Sequence, residues 1–433
     1  VKQFNFEQKL VNNKPISKHD IKKLGLSNVF NSIVNTLDEL RNKKFNMVIV
    51  DCVNNAPFTQ DKFKKQILKK KQKYIMSFNV YQQLWYDIYR KKKILKPAGP
   101  KFNNLYRPYI GQDLTNKTLL VSRTGGLGDL LFIQPNLIYL KEKYPTCTIK
   151  FACGPQYHDM IKYWNCVDKV LDLPHTFNHF LQADYHAYFE GVIERCLEAH
   201  TKNAYNLFSR WLGLYLPDDK LIPVQTPTPL KTAICKRFLK DHNIEKNKLL
   251  LFQIKASSPI RTPRPGIWKD LMLKLIDKGY QIVITDSPLS SPKIELFRQL
   301  VGSNQVYNFA TFSETIDYTI AMAALAKCCV SPDSSLIHIS TSVGTPVFGL
   351  YGPFPGEIRL TTYDKVDWIN AKKECAPCFQ HGSNPCKHST NGHSNCYDNI
   401  DINECVTKIE KLIKESIHQD MDKEALIKHC KIV

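Results

Sequence analysis

Residues Ser122–Pro135, SRTGGLGDLLFIQP, follow the apolar run KTLLV (Lys117–Val121), and their reading decides the fold. A buried strand that turns through glycines into a helix opens a βαβ unit. Such a turn is a usual seat for a phosphate, because the free N–H groups of a helix start attract anions. Here Asp129 directly follows Gly125, Gly126 and Gly128, where it would repel one. The spacing is not G-x-G-x-x-G and no acidic ribose clamp stands at the expected offset, so a dinucleotide is not indicated. Two readings of Asp129 remain. It is a charge favoured by the positive end of the helix Asp129–Lys143, or it is a general base for an acceptor hydroxyl attacking a sugar carbon.

Outward from this turn, short apolar strands alternate with amphipathic helices. CTIKFAC (Cys147–Cys153), Lys169–Leu173 and Tyr185–Val192 read as strands, and Lys202–Gly213 as a helix. The Pro-rich segment LIPVQTPTPL (Leu221–Leu230) interrupts the pattern, which then restarts with helices near 231–242, 268–278, 293–301, 312–326 and 334–343. The strands between them are placed at 249–254, 281–286, 328–331 and 346–351. This alternation implies parallel sheets. The fold class is α/β, with two doubly wound Rossmann-like domains facing across a cleft and ligands bound beyond the carboxyl ends of the strands. The expected boundaries are a mainly helical extension at 1–112, an acceptor domain at 113–222, and a donor domain at 223–433 with a Cys-rich segment at 375–405.

At 433 residues the chain is long for a single core. No stretch is apolar for long enough to span a membrane, and the first residues lack the apolar centre of a signal peptide. A cytoplasmic location follows, with peripheral association at the inner membrane face as a further expectation. The formal charge of +20 invites a polyanionic partner, although the excess is mainly Lys, as AT-rich coding also produces. Asp61–Tyr74 carries seven Lys, and Tyr81–Lys93 sets aromatics ahead of a basic run. Both are read either as solvated helix faces or as an acceptor-docking surface, DNA included. The run Phe45–Val53 is a strand candidate within them.

Two segments of the second half carry charge and small residues. VSPDSSLIHISTSVGTPVFGLYGP (Val330–Pro353) reads as strand, turn, helix, stop and strand. Asp333 is expected to cap the helix, leaving the N–H groups of Ser334, Ser335 and Leu336 for a diphosphate, with His338 one turn in. FQIKASSPIRTPRPGIW (Phe252–Trp268) offers Lys255, Arg261 and Arg264 beyond a strand end, where cations can neutralise a leaving diphosphate.

Most of the 14 Cys are scattered in apolar runs and read as reduced core residues. Cys375, Cys378, Cys386, Cys396 and Cys405 form one cluster, interleaved with His381, His388 and His393. Its C-x2-C start suits a structural zinc held by Cys375, Cys378, Cys386 and Cys396. Reduced thiols in an ordered loop, or disulfides, are the other readings.

Taken together, RTGGLGDLLFIQPNLIYLKEKYP, SPDSSLIHISTSVGTPVFGLYGP, the Trp268 helix after a cationic loop, and ECAPCFQHGSNPCKHSTNGHSNCYDNI resemble glycosyltransferase family 9. These are the heptosyltransferases of the lipopolysaccharide inner core, and the resemblance covers roughly residues 117–415. It implies a GT-B fold, a nucleotide-sugar donor held by the C-terminal domain, inversion at the anomeric carbon and no catalytic cofactor. It also implies Asp129 as the base and Lys255 as the residue that assists the diphosphate. Ser334, Ser335 and Leu336 become the phosphate cradle, with Asp333 just before it and His338 within it; the residues themselves add Arg261 and the turn glycines Gly125, Gly126 and Gly128 to the expected donor site. The family commonly has glycine where Ser335 stands and Ser or Thr around Gly125 and Gly126, which leaves the donor sugar open.

The expected activity is transfer of a heptose or related sugar from a nucleotide-diphosphate donor, ADP-heptose-like or other. The expected acceptor is a hydroxyl of an anionic, lipopolysaccharide-core-type saccharide. The alternatives are a glycosyltransferase acting on modified bases of DNA and a non-catalytic nucleic-acid- or sugar-binding member of the family.

Overall fold

The computed structural model describes residues 34–41, 47–52, 56–58, 66–77, 95–97, 102–380, 386–389 and 394–430. The chain divides into two compact units. One comprises Val1–Gly125, Asn136–Ala199 and Asn206–Tyr215, and the other Gly126–Pro135, His200–Tyr205 and Leu216–Val433.

The first unit opens with strands β1 (Met47–Cys52), β2 (Ala56–Phe58), β3 (Gln66–Leu68), β4 (Lys73–Ser77) and β5 (Leu95–Pro97). β4, β1 and β5 form an antiparallel sheet, and β2 pairs with β3 as a hairpin. The helical lead-in expected for 1–112 is thus replaced, among the described residues, by strands and two short helices, Leu37–Arg41 and Phe102–Leu105. The Lys-rich stretch 61–74 contributes β3 and the start of β4. Alternation explains the difference in β4, where Tyr74 and Met76 point opposite to Ile75 yet all three are buried. The aromatic and basic run Tyr81–Lys93 lies outside the described residues.

Beyond these strands lies an all-parallel sheet of β6 (Thr118–Ser122), β7 (Thr148–Cys153), β8 (Lys169–Asp172) and β9 (Tyr185–Tyr188), in the order β8-β7-β6-β9. Met47, Ile49 and Ile75 share one core with Leu120, Ala152, Leu171 and Tyr188, so the antiparallel strands are packed onto the parallel sheet.

The second unit holds a six-stranded parallel sheet of β10 (Leu249–Phe252), β11 (Gln281–Ile284), β12 (Val306–Asn308), β13 (Cys328–Pro332), β14 (Val347–Tyr351) and β15 (Val366–Asn370). Their order is β12-β11-β10-β13-β14-β15. Both parallel sheets are doubly wound about their first strand, which puts the topological switch point between β6 and β9 in one and between β10 and β13 in the other.

The helices that matter for the site are α1 (Leu127–Lys143), α2 (Ala204–Trp211), α3 (Pro229–Asp241), α4 (Pro265–Asp277), α5 (Ser291–Val301), α6 (Ile316–Leu325), α7 (Ser335–Ser342), α8 (Glu357–Leu360) and α9 (Ile402–Cys430). Ile267, Trp268 and Leu271 of α4 join Ile409 and Leu412 of α9 against Leu250 and Phe348 in one core. Pro135 stands inside α1 and deprives it of one backbone bond. The division between the two units falls at this proline. Among the described residues no helix is long and apolar enough to cross a membrane.

Candidate functional site

The first turn of α1 packs with the second unit. Gly126 precedes the helix, and its N–H donates to Asp129 Oδ2 at 3.0 Å while the Asp129 N–H returns to the Gly126 carbonyl at 3.1 Å. The carboxylate at the third helical position thus makes one half of a capping box, and the other half is absent because Gly126 has no side chain to accept from the Asp129 N–H. Asp129 therefore does have the helix-start role that its sequence position suggests, and it remains half-buried. Gly128 faces His338, and a Cβ built on it would stand 3.0 Å from Cδ2 of that ring. A Cβ on Gly126 would meet nothing within 4 Å. Gly125 is the last residue of the first segment of the other unit.

His338 is buried in α7, where its Nδ1 lies 2.6 Å from the Tyr363 hydroxyl and its ring meets Phe132 edge-on at 4.8 Å. The Tyr363 hydroxyl in turn bonds that of Tyr205. Burial, the largest cause, lowers the His338 pKa to about 4, so the ring is neutral at physiological pH.

The start of α7 differs from expectation in one respect. Ser334, not Asp333, occupies the N-cap position, and no side chain of its own caps the helix. Gln253, one residue beyond β10, takes that part. Its Oε1 accepts from the Ser334 hydroxyl at 2.6 Å and from the Leu336 N–H at 3.3 Å. The Leu336 N–H is thus engaged within the protein, whereas Ser335 is half-buried beside it.

Asp333 is drawn away by a cation. Arg261 Nη1 reaches its carbonyl at 3.0 Å and its carboxylate at 3.3 Å, and Nη2 donates to Ser257 Oγ at 2.7 Å. Lys255 is exposed, three residues beyond β10. Its charge is felt at Asp286, beyond the neighbouring β11, where burial raises the carboxyl pKa and Lys255 partly offsets the rise. Lys255, Arg261, Asp333, Ser334 and His338 are therefore gathered at the carboxyl ends of β10 and β13, together with Gln253 and Asp286, which the sequence did not single out.

Two contacts tie the cationic loop to the Cys-rich segment. The Tyr397 hydroxyl donates to the Arg261 carbonyl at 3.1 Å, and Arg264 Nε bonds Asp398 Oδ1 at 2.6 Å. Cys396 and Cys405 are buried in the same core as Trp268. Burial raises the pKa of the Cys396 thiol. Among the described residues, however, no three His, Cys, Asp or Glu side chains are placed to hold a metal ion. Cys375 is exposed while Cys396 is buried. His381 and His393 lie outside the described residues.

In the first unit, Glu190 follows β9 at the switch point. Its Oε1 accepts from Ser122 Oγ at 3.1 Å, while the neighbouring Arg123 is paired with Glu194 at 2.6 Å. Burial pushes the Glu190 pKa up to about 7, against the lowering effect of Arg123.

Two doubly wound parallel sheets of this kind define a GT-B fold of the α/β class. Solved structures that share it include a family 9 glycosyltransferase from Veillonella parvula (TM-score 0.54, 13% identity, 70% of this chain and 99% of that one). Another is the Escherichia coli ADP-heptose lipopolysaccharide heptosyltransferase II (TM-score 0.53, 15% identity, 69% and 99%). Residues 197–388 match the family model for glycosyltransferase family 9 (heptosyltransferase). A stretch of 88 residues is 31% identical to lipopolysaccharide heptosyltransferase 2 of E. coli (strain K12), covering 20% of this chain and a quarter (25%) of that relative.

Proposed function

We propose that the protein is an inverting glycosyltransferase that moves a heptose or related sugar from a nucleotide-diphosphate donor to a saccharide hydroxyl of the lipopolysaccharide-core type. The observation that carries this reading is that the Asp129 helix start packs in the same unit as the α7 start, Arg261 and Lys255. A carboxylate and a set of diphosphate-binding groups are what a single displacement at an anomeric carbon requires.

Asp129 takes the proton of the acceptor hydroxyl as that oxygen attacks the anomeric carbon from one face. The bond to the diphosphate breaks on the opposite face, and the negative charge that develops there is met by Lys255, Arg261 and the N–H of Ser335. Inversion follows from one displacement, and the cations supply the charge stabilisation that a metal ion provides in other transferases. His338, neutral and buried, orients the helix start through Gly128 and exchanges no proton.

Asp129→Asn tests the assignment cleanly, because the amide oxygen can still accept the Gly126 N–H and so preserve the helix start. The variant is expected to bind nucleoside diphosphate as the wild type does and to lose at least 10³-fold in transfer, within reach of what one positioned base supplies together with its charge. Transfer is read by mass spectrometry across a nucleotide-sugar panel, with lipopolysaccharide core and hydroxymethylated DNA as acceptors. Undiminished turnover in Asp129→Asn removes it from the mechanism. Transfer to the DNA alone replaces the saccharide acceptor with the second reading, which the +20 charge motivates.

A further inference from the structure

His338 is 5% exposed, and its ring is held from three sides. The Tyr363 hydroxyl stands 2.6 Å from Nδ1, Gly128 abuts Cδ2, and Phe132, one turn further along α1, meets the ring edge-on. Behind Tyr363 lies Tyr205, fully buried, whose hydroxyl bonds that of Tyr363. Among the described residues the two phenol hydroxyls have no further hydrogen-bond partner. All five residues belong to one unit.

Counting protons along this chain fixes the tautomer of the imidazole. A neutral ring has one N–H and one acceptor nitrogen, and burial keeps His338 neutral. If Nδ1 carried the proton and donated it to Tyr363, one of the two buried phenols would keep an O–H with no acceptor, at the full cost of desolvating it. If Tyr205 donates to Tyr363 and Tyr363 donates to Nδ1, both phenol protons are placed. The second arrangement wins, and the ring proton then sits on Nε2. Nε2 bonds nothing among the described residues, yet it is not enclosed, so its N–H reaches open space. It does so in the first turn of α7, 3.5 Å from where a Cβ on Gly128 would stand and one residue from Asp129.

We propose that Tyr363 is a positioning residue that fixes His338 as an Nε2–H donor, and that this N–H binds a phosphate oxygen of the nucleotide-diphosphate donor. The assignment rests on the donor-site reading given above. Lys255 and Arg261 bring charge to the diphosphate, and the locked imidazole brings direction. Tyr363 itself lies outside the glycine-rich turn, the cationic loop and the α7 block.

The test uses the full chain, nitrogen NMR on isotope-labelled histidine, and calorimetric titration with ADP, GDP, UDP and CDP. The His338 signals are identified by their absence from His338→Gln. They are expected to show a neutral ring protonated at Nε2, with that proton shifting when the preferred nucleotide binds. Tyr363→Phe removes the donor to Nδ1. It is expected to populate both tautomers and to bind that nucleotide about tenfold more weakly, the worth of one hydrogen bond to a charged group. Tyr205→Phe breaks the same chain one step further back, where Tyr363 can still donate to Nδ1. Its melting temperature is expected to fall while tautomer and affinity stay as in the wild type. A wild-type proton on Nδ1 overturns the proposal, and so does an Nε2 proton indifferent to a nucleotide that binds. Equal loss of affinity in the two phenylalanine variants also overturns it, since the chain is then only structural. If Tyr363→Phe fails to fold, the wild-type spectra decide alone. A wild type that binds none of the four nucleotides overturns the donor-site reading and the phosphate contact with it, whichever nitrogen carries the proton.

Discussion

At Gly128 the backbone passes the His338 ring too closely for a side chain. An added Cβ would sit 3.0 Å from Cδ2, and the ring cannot retreat easily because Tyr363 and Phe132 hold it. Overpacking of this sort costs about 1–3 kcal/mol, while alanine gains at most about 1 kcal/mol over glycine in a helix. Overpacking wins, so Gly128→Ala is expected to lose about 1 kcal/mol of stability by chemical denaturation. It should lose more in transfer than that figure converts to, since Asp129 is the next residue. Gly126→Ala, with open space around its Cβ, is the matched control and should melt within a degree or so of wild type. Equal behaviour of the two variants would remove His338 from the account of the turn. The glycines and the aspartate were legible in the sequence, but the reason for Gly128 was not. It depends on a residue some two hundred positions away.

Among the elements, the segment after β15 braces the cationic loop from outside the sheet. Tyr397 holds the Arg261 carbonyl, and Asp398 holds the Arg264 side chain. Tyr397→Phe removes one hydrogen bond and leaves a carbonyl unpaired, at about 1 kcal/mol. The expected result is a several-fold rise in donor KM with acceptor KM unchanged. A rise in both, or in neither, would make the contact a matter of stability alone. The alternation of strands and helices in 117–351 was readable because each strand is short and apolar and each helix has its own start signal. β12 and β15 were not, since Val306–Asn308 is only three residues long and Val366–Asn370 (VDWIN) carries no continuous apolar run. The cap of α7 was misassigned because Asp333 is the right residue type beside the right helix, yet Arg261 claims it. Gln253 gives no signal of its role before the sheet order is known. The Lys-rich stretch 61–74 hid strands because lysines can occupy the outward positions of an edge strand as readily as a helix face.

For the whole molecule, buried titrating groups set how stability varies with pH. His175, His186 and His338 each have a pKa pushed down to about 4, with burial as the main cause. In the unfolded chain such groups bind protons near pH 6.5, and in the fold they do not. Stability is then fully present above about pH 6.5 and drains away as pH falls toward 4, by up to about 3 kcal/mol per histidine. Glu190 acts oppositely. Its pKa, raised to about 7, lets the fold hold a proton that the unfolded chain releases, so its contribution falls as pH rises from about 4.5 to 7. Three histidines outweigh one carboxyl, and urea titrations should find stability increasing from pH 4.5 to 6.5 and levelling near 7. Glu190→Gln, with Ser122, Arg123 and Glu194 as its charged and polar neighbours, should be more stable than wild type at pH 8 and unchanged at pH 4. A flat profile across this range would mean that the histidines are not held neutral.

α1 starts among the contacts of one unit and finishes among those of the other, changing allegiance at Pro135. The base of the proposed reaction therefore travels with the leaving-group anchors and not with the strands that precede it in sequence. The distance from proton acceptor to departing phosphate is then a property internal to one unit, fixed before any acceptor arrives. On the proposed reading, residues 136–199 could diverge to suit another acceptor and leave that distance untouched.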